Sequence, residues 1–524
     1  MPLYLSPDSL EWALKHIEKY GDTDVFPMPF EYQAIRWSWD DIRDFLSSQD
    51  LYNYVVRPHR RCLSPKHRFG FRISTQLDPF DTLLYLALTY EIGEDIESKR
   101  IPPEAQIVFG YRFNPDEHGR IFDTEMDYDA FRRRSAELAD TEKYSWVLVA
   151  DIADFFPRIY THPLENALTT CTRKLDHAKV IAKLIKKWNH SVSYGIPVGQ
   201  TASRLVAELT ISDVDQTLLS EGKVYCRFSD DFRLFFNDKK CAYEGLALLA
   251  NTLFENHGLT LQQDKTEILD VDEFCRKYLQ TERWAEHDSL SERFRDILED
   301  IGIDDPYEEI EYDDLEPDVQ EQIDSLNLQE ILNEQINLGE RIDYSLTRFV
   351  LRRLGQINDH AGIPLVFKNI ELLYPIFKDV LGYISEIRKI APGLRHRIGN
   401  NLIGLLENSI VGHLPYHKCW ILNIFTHDRE WDNEKKFQGL YSSIHDEFSR
   451  RELISAMGRS GQDYWFKSHK RNLSQFGPWE KRAFISAASC LPGDEAKHWY
   501  ASINPSLDKL ERSVIVWAKN NPYS

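Results

Sequence analysis

The sequence predicts an α+β chain in which a sheet-bearing front half is followed by an all-helical back half. Three observations carry that expectation. Between Val224 and Phe236, apolar residues recur at Val224, Cys226 and Phe228, then at Phe232, Leu234 and Phe236. This is the period-two signature of two half-buried strands around the turn-forming residues Ser229-Asp230-Asp231. Upstream, Trp146-Val147-Leu148-Val149-Ala150 is a continuous apolar run of the kind found in a strand buried on both faces, and it ends at Asp151. In the back of the chain helical periodicities recur instead, at Ile323/Leu326/Leu328/Ile331/Leu332, Leu365/Ile370/Leu373 and Leu402/Leu405/Leu406.

Size and composition bound what such a chain can be. Its 524 residues can bury substantial cores in two or three domains, and 42% hydrophobic residues place it with globular proteins. No run approaches the roughly 18 apolar residues of a membrane span. The start, Met1-Pro2-Leu3-Tyr4-Leu5-Ser6, has no basic segment followed by an apolar one. A cytoplasmic location is therefore expected. Seven cysteines without a CxxC pair read as reduced thiols, with no zinc module. A net charge of −21 argues against a protein that coats nucleic acid, but not against an enzyme with a local basic groove. From Asp304 to Glu321 there are ten Asp or Glu and no Lys or Arg, which reads as a solvated acidic linker.

Taken in order, Ser6 and Pro7 open a helix with Leu10, Ala13, Leu14 and Ile17 on one face, and Gly21 ends it. A second helix is expected at Ser38–Leu46. Next comes a basic cluster, Arg57, His59, Arg60, Arg61, Lys66, His67, Arg68 and Arg72, interleaved with Tyr52, Tyr54, Phe69 and Phe71. Cations neutralise phosphates and aromatic faces stack on bases, so the cluster suits a polynucleotide or triphosphate site; a solvated basic loop is the competing reading. A buried helix at Asp81–Tyr90, a strand at Ile107–Phe113 and a helical Arg132-Arg133-Arg134 patch follow. After the strand ending at Asp151 come a helical segment, Leu164–Trp188, and the loop-to-helix stretch Gly195–Leu209. His257–Ile268 reads as a helix end leading into a strand, and it contains Lys265. The final stretch is punctuated by Pro478 and Pro492-Gly493, with Trp479, Trp499 and Trp517 expected in a helical core.

The chemistry concentrates at two acidic strand ends. Adjacent carboxylates at a hairpin tip repel each other, and a hard divalent cation relieves that repulsion; the plain alternative is a solvated Asp-Asp turn. A carboxylate just past a buried strand lies where sheet proteins commonly place active sites. Asp151 and the Asp230-Asp231 hairpin on neighbouring strands would hold two metal ions and support in-line phosphoryl transfer.

In order and spacing, four pieces resemble the palm of reverse transcriptases. These are the strand ending at Asp151 with Phe155-Phe156, the loop Gly195–Ser203, the box Phe228-Ser229-Asp230-Asp231, and Gly258-Leu259 through Lys265-Thr266. Tyr160-Thr161-His162, Ser203-Arg204 and Ala207-Glu208-Leu209 resemble the abortive-infection and related defence-associated bacterial members. Arg204 stands where proline is usual, Ser229 where alanine is common, and Val198 replaces a frequent glutamine; these departures bear on templated copying, not on the metal ligands.

The resemblance implies a fingers-palm polymerase with a ferredoxin-like palm, followed by an all-α, HEAT-like helical domain. The expected division is an N-terminal helical extension at 1–50, fingers-palm at 51–285, acidic linker at 286–325 and helical domain at 326–524. Asp151, Asp230 and Asp231 are the implied catalytic residues, and with Ile152 they are the implied ligands of two Mg2+ ions. Phe156 matches the position that excludes a ribose 2′-hydroxyl, so dNTPs are the expected substrates, with Gly199, Lys265, Arg68 and Arg72 at the nucleotide. Resemblance further implies antiphage defence, a homo-oligomer, and template-independent synthesis primed on a tyrosine, for which Tyr4, Tyr20 and Tyr32 are candidates; the DNA product would then be covalently attached. The alternatives are reverse transcription on a dedicated non-coding RNA, a catalytically silent scaffold that binds nucleic acid or phage protein, and a nucleotidyl cyclase on the same type of palm.

Overall fold

In a computed structural model of the chain, the apolar run before Asp151 is one of the two inner strands of a four-stranded antiparallel sheet. The structure describes residues 2–190, 192–279, 317, 320, 327–388, 390–427, 431 and 433–523. Among the described residues there are six strands, β1 (Arg60–His67), β2 (Gly70–Gln76), β3 (Trp146–Asp151), β4 (Val224–Phe228), β5 (Asp231–Phe236) and β6 (Glu267–Asp270). β1 and β2 form a separate hairpin; the larger sheet has the order β4-β5-β3-β6. The described residues fall into two units: 2–24, 43–59 and 75–279 in the first, and 25–42, 60–74 and those from 327 onward in the second.

In the first unit, both faces of the sheet are covered. Helix Tyr128–Asp140 packs on β4 and β5, where Phe131 and Leu138 join Val147, Val149, Cys226 and Phe235 in one apolar cluster. Helix Lys239–His257 packs against β3 and β5, and Gly245 approaches the Phe236 ring so closely that a Cβ would lie 2.2 Å from it. Expecting half-buried strands therefore misjudged β4 and β5: Tyr225, Arg227 and Arg233, which alternation assigned to solvent, are buried. The first helix runs Pro7–Tyr20, with the Ser6 hydroxyl accepting from the Asp8 N–H and Gly21 at φ +83° closing it. Further helices at Pro79–Glu91, Thr161–Cys171 and Leu175–Trp188 match or split the expected ones. The strand expected at Ile107–Phe113 is reduced to bridges at Val108 and Phe113, because Tyr111 takes a positive φ of 47° and breaks the extended run.

The second unit is helical apart from the β1–β2 hairpin residues. Helices Leu328–Asn337, Tyr344–Gln356, Phe377–Glu386, Pro415–His427, Glu447–Arg459, Pro478–Ala487 and Lys509–Asn520 each pack on the next along the chain. Trp479 and Trp499 are buried in that unit and Trp517 packs against its core. Helix Glu31–Trp37, which no local sequence signal announces, packs on Lys509–Asn520; the helix expected at Ser38–Leu46 is Trp39–Ser47. The Asp304–Glu321 stretch lies almost wholly outside the described residues, as do Ile323 and Leu326. No helix among the described residues is long and apolar enough to cross a membrane.

Candidate active site

β4 ends at Phe228 and β5 begins at Asp231, so Ser229 and Asp230 alone make the turn. Ser229 has a φ of +53°, a conformation that costs a residue with a Cβ about 1 kcal/mol and persists where the surroundings impose it. The surroundings do so here. The Ser229 carbonyl accepts from Arg227 Nη1 at 2.9 Å, and a Cβ on Gly110 would lie 2.6 Å from the Ser229 nitrogen. In register, Asp231 pairs with Phe228 on one side and with Asp151 on the other. Backbone bonds lace the strand ends together: the Ile152 N–H donates to the Asp230 carbonyl (3.1 Å), the Gln262 N–H to the Asp151 carbonyl (2.7 Å) and the Ala153 N–H to the Thr260 carbonyl (2.8 Å).

Two carboxylates thus occupy facing positions on adjacent strands, on one face of the sheet. Lys265, on the short turn before β6, places its Nζ 3.1 Å from Asp151 Oδ1. Burial pushes the Asp231 carboxyl up to about 6; Arg233 opposes the shift and the charge of Asp151 adds to it. Among the described residues no group of three or more His, Cys, Asp or Glu is arranged to hold a metal ion. Magnesium, however, binds through one or two carboxylates completed by water and substrate phosphates, and Asp151 with Asp231 is such a donor pair.

The structure brings other expected residues to the same unit. Phe156 lies half-buried in the short helix Phe155–Arg158 that follows β3, against Phe155, and its carbonyl accepts from the Ile196 N–H at 3.1 Å. Gly195 and Gly199 both take positive φ (+90° and +101°), which only glycine adopts freely, and the Val198 carbonyl accepts from the Thr75 N–H at 3.1 Å. Arg68 and Arg72 belong to the hairpin of the second unit, where Arg68 Nη1 lies 2.8 Å from Glu340 Oε1. Tyr4 and Tyr20 are exposed (52% and 46%), whereas Tyr32 is 1% exposed.

A buried charge network behind the turn escaped the sequence reading. Arg227 Nε and Nη2 donate to the two oxygens of Asp215 (2.8 and 2.7 Å), and Nη1 donates to Glu208 Oε2 (2.9 Å). Arg100 Nη2 donates to the same Glu208 oxygen at 2.9 Å. All four side chains are buried. Their attraction holds the Arg227 guanidinium firmly charged, although burial works against it. A signal was present in the sequence: an arginine inside an apolar strand needs acidic partners, and Glu208 and Asp215 lie on the preceding helices. Tyr111, with its φ of +47°, packs against Phe228 and under Arg204, which pairs with Asp24 at 2.8 Å.

Residues 108–284 match the family model for reverse transcriptase (RNA-dependent DNA polymerase). No curated protein matches the chain. Among solved structures, it is similar to telomerase from Candida albicans in complex with a telomeric RNA fragment, at 13% identity and a TM-score of 0.32, with 76% of this chain and 66% of that chain covered. It is similar also to apo telomerase from Candida tropicalis, at 10% identity and a TM-score of 0.32, with 78% and 73% covered. The chain thus spans about two thirds of the length of the first of these. The family match encloses β3, the β4–β5 turn and Lys265, the segments that the backbone bonds lace around the two facing carboxylates. The first unit therefore carries a reverse-transcriptase domain, that of an RNA-directed DNA polymerase-like nucleotidyltransferase.

Proposed function

We propose that this chain is a magnesium-dependent DNA polymerase of antiphage defence, which joins deoxynucleotides to a hydroxyl and releases pyrophosphate. The observation that carries the polymerase reading is the register that sets Asp151 beside Asp231, with Asp230 at the tip of the same turn. Reverse-transcriptase domains use divalent metal ions, typically Mg2+. Asp151, Asp230 and Asp231, with the main chain at Ile152, are the residues that would hold two. When bound, magnesium supplies activation of the attacking hydroxyl and charge neutralisation at the leaving phosphates. Lys265 can exchange its contact with Asp151 for the phosphate chain of an incoming nucleotide. Phe156 presents a ring where a 2′-hydroxyl would otherwise fit, and Gly199 lets the backbone approach the substrate.

The defence role, protein priming without a template, and oligomer formation rest on resemblance at Tyr160-Thr161-His162 and Ser203-Arg204. For priming, Tyr4 and Tyr20 are exposed residues, whereas Tyr32 is buried. A HEAT-like arrangement of the second unit is supported by its helices packing in serial order. The test is incubation of the full chain with labelled dNTPs and Mg2+, followed by mass spectrometry for a nucleotide-adducted tyrosine peptide. Asp151→Asn and Asp230→Ala should each lower incorporation on the order of a thousandfold or more. Equal incorporation by wild type and both variants would remove the polymerase reading. cDNA matching one co-purified RNA would replace priming on protein by templated synthesis.

A further inference from the structure

Arg233 stands two residues beyond Asp231 on β5, so it leaves the sheet on the same face, one pleat farther from the turn. Its register partners are Val149 on β3 and Cys226 on β4, both buried. The side chain is 2% exposed, and its guanidinium lies 4.2 Å over the Phe131 ring, with the Phe274 and Tyr278 rings at 5.6 and 5.9 Å. Its Nη2 is 3.9 Å from Asp231 Oδ2, close enough for strong attraction and too far for a hydrogen bond. Nε and Nη1 have no hydrogen-bond partner among the described residues. Arg227, on the opposite face, has its donors filled by Asp215, Glu208 and the Ser229 carbonyl.

A guanidinium held under-bonded at that depth is expensive, and packing does not require it. Methionine or leucine would fill the space between Phe131 and Cys226 without the desolvation cost. What a cationic side chain supplies there, and an apolar one does not, is a positive charge beneath two facing carboxylates. The gap to Asp231 matters, because a modest side-chain rotation would either close it into a hydrogen bond or turn the carboxylate away towards Asp151.

We propose that Arg233 is a positioning residue, an internal counter-cation that competes with divalent metal for Asp231. The inference rests on the polymerase reading of the site. Between turnovers Arg233 lets the two carboxylates coexist without bound metal. It also keeps bare-metal binding weak until a nucleoside triphosphate contributes its own oxygens, so that metal and nucleotide load together.

The test uses the full chain without nucleotide, titrated with Mn2+ while the free ion is read by electron paramagnetic resonance. Arg233→Met should bind Mn2+ about tenfold more tightly than wild type, and Arg233→Lys within about twofold of it. The Mg2+ concentration for half-maximal dNTP incorporation should fall in parallel. The melting temperature of Arg233→Met should drop in EDTA and recover in saturating Mn2+. A merely structural arginine would lower the melting temperature in both conditions and leave Mn2+ affinity unchanged, and that result overturns the proposal. Arg233→Gln carries the same measurement if Arg233→Met does not fold; if neither neutral variant folds even with Mn2+, the charge serves the fold and the proposal is wrong. Wild-type protein that neither binds Mn2+ nor incorporates nucleotide would instead sink the polymerase reading, and this inference with it.

Discussion

Asp81 is fully buried and accepts hydrogen bonds from Tyr54 Oη (2.6 Å), Trp188 Nε1 (2.7 Å) and the Arg57 N–H (3.0 Å). Burial, reinforced by the charge of Asp78, nevertheless pushes its carboxyl up to about 7. An unfolded aspartate titrates at about 3.9. The folded state therefore holds this proton more tightly, so the stability it contributes is complete below about pH 3.9 and is lost as pH rises through about 7. Asparagine mimics the protonated acid, with its amide towards Tyr54 and its oxygen towards the other two donors. Asp81→Asn should gain on wild type by on the order of 2–4 kcal/mol between pH 4 and 8, measured by urea unfolding. Midpoints that move in parallel with pH would contradict the assignment. Legibility at this scale followed chemistry. Asp151, Asp230 and Asp231 could be read from the sequence because two carboxylates at a hairpin tip demand a reason, whereas Arg227 and Arg233 looked like solvent-facing positions of alternating strands. Only their buried partners, Glu208 and Asp215 for one and Asp231 with Phe131 for the other, reveal otherwise.

At the scale of elements, the β4–β5 turn owes its shape to a neighbour distant in sequence. Gly110 has no room for a side chain: an added Cβ would meet the Ser229 nitrogen at 2.6 Å and Glu208 Oε1 at 2.8 Å. The first of these is backbone and the second belongs to a buried ion pair, so neither yields without displacing the turn. Gly110→Ala should cost about 1–3 kcal/mol of stability. It should also lower kcat for nucleotide incorporation on the order of tenfold or more, because misplacing a catalytic carboxylate by about 1 Å is felt strongly. Steady-state kinetics alongside urea unfolding check this, and wild-type kcat in a folded variant would show that Gly110 does not set the turn. The sequence made the two strands and their tip plain, because alternation and turn residues coincide there. It hid the contact from Gly110, because Ile107–Phe113 looks like an ordinary strand until Gly110 and Tyr111 are seen to turn it against Ser229. The helix Glu31–Trp37 was hidden for a related reason, since its buried Glu31 looks like a surface residue without its partners.

Those partners act at the scale of the whole molecule. Glu31 is fully buried in the second unit and accepts from Arg451 Nη2 at 2.6 Å and Arg482 Nε at 2.8 Å, residues more than four hundred positions away. Burial alone would raise its carboxyl, but the two guanidiniums outweigh it and hold the group down at about 2. Arg451 lies over the Phe30 ring, and Arg60 of β1 sits between the Phe448 and Trp479 rings. The second unit is thus closed by segments from both ends of the chain, 25–42 and 60–74 together with the helices from Leu328 onward. Division into consecutive blocks along the sequence cannot express this, because charge pairing between remote residues leaves no local periodicity. Glu31→Gln removes the carboxylate that Arg451 and Arg482 share and should cost about 3–5 kcal/mol, read as a shift in the urea midpoint. A fragment ending at residue 286 retains Glu31, Phe30 and Arg60 but lacks Arg451, Arg482 and the aromatic rings around them. Limited proteolysis of that fragment should cut within residues 25–42 and 60–74, which the full chain protects. Protection of both segments in the fragment, together with a wild-type midpoint for Glu31→Gln, would mean that the ends of the chain do not depend on each other for folding.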